Sequence, residues 1–424
     1  MFVRQNEDTR KKRLVLFTTH YPYRGEAFLE DEIRAAELYY TEIIIVTLEK
    51  NTDNVVYYIP QNARVIAVRA GSRKYSGGFA VLCKILFSKN ALREIGIAAK
   101  ERGMHALFSA IRTIAVDERA IYFLKRAEKN WLDDTSETVY YSYWLGSEAT
   151  YLVRNRKQLG GLCISRTHGG DCFFNRAFHP YRVQQLSQLD LIFPISESGK
   201  KDLLKHYVSK VPALEKKLVV AHLGISKPTD QMNPENKSNC RIIVTCSNVI
   251  RLKRLDLMVD ALSRIESIKI HWIHFGDGDQ LRVIKKLAAE KLKPNVIADF
   301  RGFVPKSDIL RYYAENPVDL FINCSDAEGI PVSVMEAMSY GIPVIARDVG
   351  GTSELVDPNC GILLKEQING SVLADAIHSI LYMDRNDYRM LQINAYAKYQ
   401  NGFKAETNYV EFFRTIAGKI SERR

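Results

Sequence analysis

The chain has 424 residues, 46% of them hydrophobic, and 60 Lys+Arg against 49 Asp+Glu give it a net charge of +11. That length exceeds one ordinary core and points to two domains. No apolar run reaches the roughly 18 residues of a membrane-spanning helix, and no DNA- or RNA-binding motif is present, so nucleic acid is not an expected partner.

The first residues, "MFVRQNEDTRKKRLVLFTTHYP", lack the long apolar stretch and small-residue cleavage site of a signal peptide. They read as a polar start running into a buried strand. Strand-like runs then follow at 13–20, 42–49, 63–70, 138–144, 162–170, 191–197 and 217–225, and further on at 241–248, 268–278, 296–303, 318–325 and 342–351. Many are continuously apolar and rich in Val and Ile, as strands buried on both faces of a parallel sheet are. Helix-length amphipathic runs separate them, which predicts βαβ units. The stretch "SKPTDQMNPENKSNC" breaks the pattern and predicts a linker over 227–240. The expected fold class is therefore α/β, with Rossmann-like doubly wound domains over 1–226 and 241–400. Their ligand-bearing strand ends would face each other across a cleft.

Charge is uneven along the chain. Residues 1–237 carry 36 Lys+Arg and 26 Asp+Glu, whereas the remainder carries 24 and 23. Within 64–112 the count is 10 basic to 2 acidic, interleaved with Phe, Leu and Ile. Such a segment suits an anionic membrane surface, or equally a core helix with a solvated basic face. The seven cysteines, Cys83, Cys163, Cys172, Cys240, Cys246, Cys324 and Cys360, form no CxxC pair. They read as buried reduced thiols of a cytoplasmic protein.

Polar, Gly-containing loops follow the strands. The fullest is "SDAEGIPVSVMEAMSYGIPVIARDVGG", from Ser325 to Gly351. Gly329 permits a tight turn, Pro331 suits the first position of a helix, and Gly341 suits its end. Backbone N–H groups near Val332 and Ser333 would attract an anion. Glu328 and Glu336 flank this turn, and a carboxylate can accept two hydrogen bonds from a vicinal diol. Phosphate and diol together describe a sugar nucleotide. "FGDGDQL" offers Asp277 and Asp279, a spacing that can hold a metal-bound diphosphate, but no zinc-spaced His/Cys cluster, P-loop or convincing dinucleotide fingerprint accompanies it.

The segment "EGIPVSVMEAMSYGIPVIARDVGGTSELV" resembles the signature of the family-4 retaining glycosyltransferases, which have the GT-B fold. Further segments resemble the family in order: "HYPYRGEAFLEDEI", "SRTHGGD", "LIFPISESGKKDL", "FGDGDQL" and the closing "YQNGFKAETNYVEFFRTI". The resemblance implies transfer of a sugar from a nucleotide-diphosphate sugar to a saccharide hydroxyl, with retention and without a metal or other cofactor. It implies that His168 contacts the donor sugar, Lys253 neutralises the leaving diphosphate, and Glu328 lies beside the transferred sugar. Gly25, Asn248, Gly276, Gly329, Ile330, Pro331, Val332 and Glu336 would complete the donor site, with Glu336 on the ribose. It also implies a last helix, over 401–424, crossing back to the first domain. Members often have Gly-Arg where this chain has Ser247-Asn248, and Arg251 or Arg254 is left to supply the missing charge. The acceptor would be a saccharide, with a polyprenyl-diphosphate-linked one as the candidate, at the inner face of a membrane. A nucleotide-sugar epimerase of the same fold and a non-enzymatic sugar-nucleotide-binding protein are the alternatives.

Overall fold

"RLVLFT" is apolar at nearly every position, and β1 (Arg13–Thr18) is buried along its whole length. A strand with no polar face needs cover on both sides, which parallel sheets flanked by helices provide. In the computed structural model β1 pairs in parallel with β2 (Glu42–Thr47) on one side and β4 (Thr138–Ser142) on the other. The model describes residues 12–23, 25–49, 56–68, 88–132 and 137–422. The centre of the basic segment, 69–87, lies outside them, as does Cys83.

The chain divides into two units. One comprises the described residues up to Ala221 together with those from Tyr409 onward; the other is His222–Asn408. With β3 (Ala63–Ala67), β5 (Leu162–Thr167) and β6 (Leu191–Pro194), the first sheet runs β3-β2-β1-β4-β5-β6. The second unit repeats the plan with β7 (Cys240–Cys246), β8 (Lys269–Phe275), β9 (Val296–Phe300), β10 (Leu320–Asn323), β11 (Val344–Arg347) and β12 (Gly361–Leu364), in the order β12-β11-β10-β7-β8-β9. Every strand pair in both sheets is parallel. In each unit the winding reverses between its first and fourth strands, and open α/β sheets bind ligands at that reversal, outside the strands' carboxyl ends.

Each core is built around a tryptophan. In the first, Trp131 stands edge-on to Phe17 with ring centroids 5.6 Å apart and donates its N–H to the Tyr151 hydroxyl. In the second, Trp272 stands edge-on to Phe300 at 5.0 Å. The last helix, Ala405–Glu422, sends Phe412 and Phe413 into the first unit, against Tyr141, Phe193, Tyr39 and Tyr40.

Two expectations are corrected, and one strand was not foreseen. Residues 217–225 are not a strand of the sheet. They touch it through one isolated bridge, Ile192 to Leu218, and a second bridge joins Ile225 to Lys404. The edge strand β12, by contrast, was not anticipated. The stretch 227–240 is also no free linker. Buried Asn233 donates to the carbonyls of Tyr313 and Asn316, accepts from Val318 N–H, and gives its own N–H to Tyr340. The six described cysteines form no disulfide.

Candidate active site

In the second unit the loops after β7 and β10 meet at the winding reversal. The Asp326 N–H donates to the Leu252 carbonyl at 2.8 Å. Beside that link the Lys253 ammonium donates to Glu328 Oε1 at 2.6 Å, and Asn323 Nδ2 donates to the same oxygen at 3.2 Å. Both partners of the ion pair are largely buried, with side chains 20% and 12% exposed. The Gly351 N–H, from the loop after β11, closes on the Gly329 carbonyl at 2.7 Å.

The helix after this turn is Val332–Met338, shorter than the run to Gly341 read from sequence. Pro331 is its cap in an extended conformation (φ −75°, ψ 108°), and Val332 is the first helical residue. The correction follows from geometry: a proline ring accepts this extended conformation without strain and has no N–H to lose. Ile330 and Pro331 are buried, and Gly341, at φ +71°, lies just past the helix. Glu336 is 7% exposed. The Cys246 thiol is pushed up, first by burial and then by Glu336, while Lys253 opposes the shift. The Glu336 carboxylate and the Lys253 ammonium thus both act on the end of β7.

The loop after β8 is laced to the same place. Ser247 N–H donates to the Phe275 carbonyl, Val249 N–H to that of Asp277, and Gly276 N–H to that of Gly302. Gly276 has φ +142°, and a Cβ there would lie on the Ser247 carbonyl oxygen. Asp277 accepts from the N–H of Gly278 in its own turn. Asn248 is exposed. Arg254, at φ +51°, forks onto Asp256 and pairs with Asp326 at 3.2 Å. Arg251 is exposed on the adjoining turn, with no ion pair among the described residues. Of the two arginines considered for the missing charge, it is the uncommitted one. A separate cavity of about 630 Å³ opens at the other end of these strands, near Arg241, Asp319 and Tyr388.

Gly25 and His168 belong to the first unit. Gly25 has φ +133°, reached without penalty only by glycine. The next residue, Glu26, is buried and accepts the backbone N–H groups of His20 (2.8 Å) and Tyr21 (2.6 Å). Its carboxylate also takes the indole N–H of Trp144. His168 follows β5. Its Nε2 lies 3.1 Å from the Tyr143 carbonyl, so Nε2 carries the hydrogen and Nδ1 is the acceptor. Burial, reinforced by Arg166, pushes its pKa down to about 3, and the ring packs 4.4 Å from Trp144. It is a neutral hydrogen-bonding group, not an acid at neutral pH. Sequence reasoning passed over Glu26 and Trp144. The only signal was their place directly after the strands that flank the reversal.

Residues 226–398 match the family described as glycosyl transferases group 1. The chain is 25% identical over 260 residues to the O-antigen biosynthesis glycosyltransferase WbnH of Escherichia coli, covering 60% of this chain and 69% of that protein. It is likewise 25% identical over 267 residues to the amylovoran biosynthesis glycosyltransferase AmsK of Erwinia amylovora, covering 61% and 64%. Among solved structures, the sucrose-phosphate synthase of Thermosynechococcus elongatus superposes with a TM-score of 0.69 at 17% identity, over 97% of this chain and all of that one. Anabaena Alr3699/HepE, solved with UDP and glucose, gives 0.65 at 15%, over 96% and 100%. The fold is GT-B. Lys253, Glu328 and Glu336 all lie within the matched residues.

Proposed function

We propose that the protein is a retaining glycosyltransferase, moving a sugar from a nucleotide-diphosphate sugar to a hydroxyl of a lipid-linked saccharide in cell-surface polysaccharide assembly. The observation that carries this is the Lys253–Glu328 pair at the winding reversal of the second unit, with Glu336, like Lys253, in electrostatic reach of Cys246 at the end of β7. The names of the E. coli and Erwinia relatives support the polysaccharide setting.

In this reading the bond from the sugar's anomeric carbon to the diphosphate oxygen breaks as charge builds on that oxygen. Lys253 stabilises that charge, with Arg251 as the second cation, and the first N–H groups of the helix after Pro331 add to it. The new bond from the anomeric carbon to the acceptor oxygen forms on the same face. The acceptor's proton passes to the departing phosphate oxygen, so neither a protein base nor a metal is required. Glu336 holds the ribose diol, and Glu328 directs Lys253 and meets the sugar's hydroxyls. His168, neutral, contributes hydrogen bonding through Nδ1.

A screen of UDP- and GDP-sugars for hydrolysis and thermal stabilisation tests the reading. Lys253→Ala should lower kcat about 100- to 1,000-fold, the usual effect of removing one group that stabilises transition-state charge. Glu336→Ala should raise the donor KM with the fold intact. Full activity in both variants sinks the assignment. Loss of turnover in EDTA, restored by manganese, would shift the diphosphate to Asp277 and Asp279. Conversion of the donor without an acceptor, to an epimer, would identify an epimerase, and binding without turnover a sensor.

A further inference from the structure

The chain has three tryptophans, and two of them, Trp131 and Trp272, are wholly buried. Trp144 is the third, and it is half-buried. It lies directly after β4, at the winding reversal of the first unit, facing the loop that follows β1. Its one polar side-chain atom is spoken for: Nε1 donates to the buried carboxylate of Glu26. Its backbone carbonyl accepts from the Ser142 hydroxyl. A surface indole ordinarily keeps its N–H toward water and its rings inside. Here the N–H is committed inward, and the half-buried side chain has no other polar atom to offer solvent.

That ring is also fixed in place. Phe28 and Tyr143 meet it edge-on, each at an interplanar angle of 88°, and His168 inclines against it. Glu26, which anchors it, is itself clamped by two backbone N–H groups. A flat apolar surface held rigidly at a ligand-binding strand end matches the C–H face of a pyranose ring. The surrounding charge selects among flat ligands. Glu26 and Glu148 are both buried at this strand end, and the Thr19 hydroxyl donates to Glu148 at 3.4 Å. The Glu26 carboxylate repels a nucleotide phosphate, and Glu148, its pKa raised to about 7 by burial, can donate a hydrogen bond to a sugar hydroxyl as well as accept one.

We infer that Trp144 is the platform on which a pyranose of the acceptor saccharide stacks. This rests on the transferase reading, and the test separates the two. Because Trp131 and Trp272 are buried, acrylamide quenching of the full-length protein reports on Trp144, and Trp144→Phe should remove most of the quenchable fraction. Methyl glycosides of galactose, glucose, mannose and N-acetylglucosamine serve as probes. At least one should shield Trp144, reducing quenching by about half, while UDP should not. With that glycoside as acceptor, Trp144→Ala should raise its KM about tenfold, equivalent to about 1.4 kcal/mol. Trp144→Phe should restore most of the acceptor affinity. Shielding by UDP alone, no shielding by any glycoside, or an unchanged acceptor KM overturns the inference. If wild-type protein hydrolyses no nucleotide sugar while a glycoside still shields Trp144, the transferase reading fails and the platform stands.

Discussion

At the scale of single residues, burial sets charge state before any partner does. His274, wholly buried on β8, takes a hydrogen bond at Nδ1 from the Thr245 hydroxyl, which in turn accepts the Trp272 indole N–H. The His274 Nε2 is buried beside the Ser247–Gly276 floor of the site. Burial lowers its pKa to about 4, against the Ser247 carbonyl, which favours the proton. In the unfolded chain the same imidazole protonates near 6.5. Between those values the unfolded state binds the extra proton, so stability falls as pH falls, by up to about 1.4 kcal/mol per pH unit for this group. His168 adds to the same acid limb down to about pH 3. His274→Asn should be less stable than wild type at pH 7.5 in urea denaturation. The gap should narrow steadily from pH 6.5 to pH 4, because the variant has no proton to take up. A gap that stays constant over that range contradicts the assignment.

At the scale of elements, the strands buried on both faces were legible because their apolar runs are uninterrupted. "KLVVAHLGI" has the same composition yet makes no ladder, since its backbone leaves the edge of the first sheet for a bridge to Lys404. "GILL" was too short to stand out, and it is recognisable only through its parallel pairing with β11. The turn at Gly329–Pro331 was legible in kind and off by one residue at the cap, the usual ambiguity of a helix end. Glu328 and Glu336 could be read from their surroundings, but the Lys253 contact could not. It joins residues 75 apart in sequence, and only the adjacency of β7 to β10 makes it. The hairpin of helices Lys89–Arg102 and Leu107–Ala127 carries the described part of the basic segment beyond residue 87. Ala91, Ala98, Ala110 and Ile114 face inward, but Met104 and Phe108 are 73% and 81% exposed, near exposed Arg93, Lys100 and Arg112. Exposed large apolar side chains on a hairpin that also exposes cations are the pattern of an interfacial anchor, so we propose that this hairpin rests on anionic lipid. The protein should sediment with phosphatidylglycerol vesicles and not with phosphatidylcholine vesicles. Phe108→Ser with Arg112→Glu should reduce the bound fraction about tenfold or more, since each near-surface cation contributes about 1 kcal/mol and burial of the ring adds more. Equal sedimentation of wild type and variant would remove the proposal.

At the scale of the whole molecule, the two units share a winding but close their cores differently. The second closes within His222–Asn408. The first is completed by the end of the chain, where Phe412, Phe413 and Ile416 are almost fully buried. Phe412 stacks beneath the Arg166 guanidinium, 4.4 Å from its ring, in the middle of a buried polar network. Arg166 pairs with Glu32 at 3.3 Å, donates to the Tyr141 hydroxyl at 2.9 Å and donates to the Ala221 carbonyl. A buried ion pair of this kind is tolerable only while its remaining surroundings are dry and ordered. Phe412→Ala would open a cavity against that pair as well as losing its own burial. It should cost at the upper end of the roughly 3–5 kcal/mol typical of Phe→Ala in a core. The loss should also be local. Hydrogen exchange followed by mass spectrometry should show faster exchange in peptides covering β1, β4, β5 and β6, with peptides covering β7, β8 and β10 unchanged, because Phe412 packs on Tyr141, Phe193 and Arg166, all of the first unit. Equal acceleration in both units would mean that the C-terminal helix stabilises the protein as one cooperative block, and would refute a core completed only in the first.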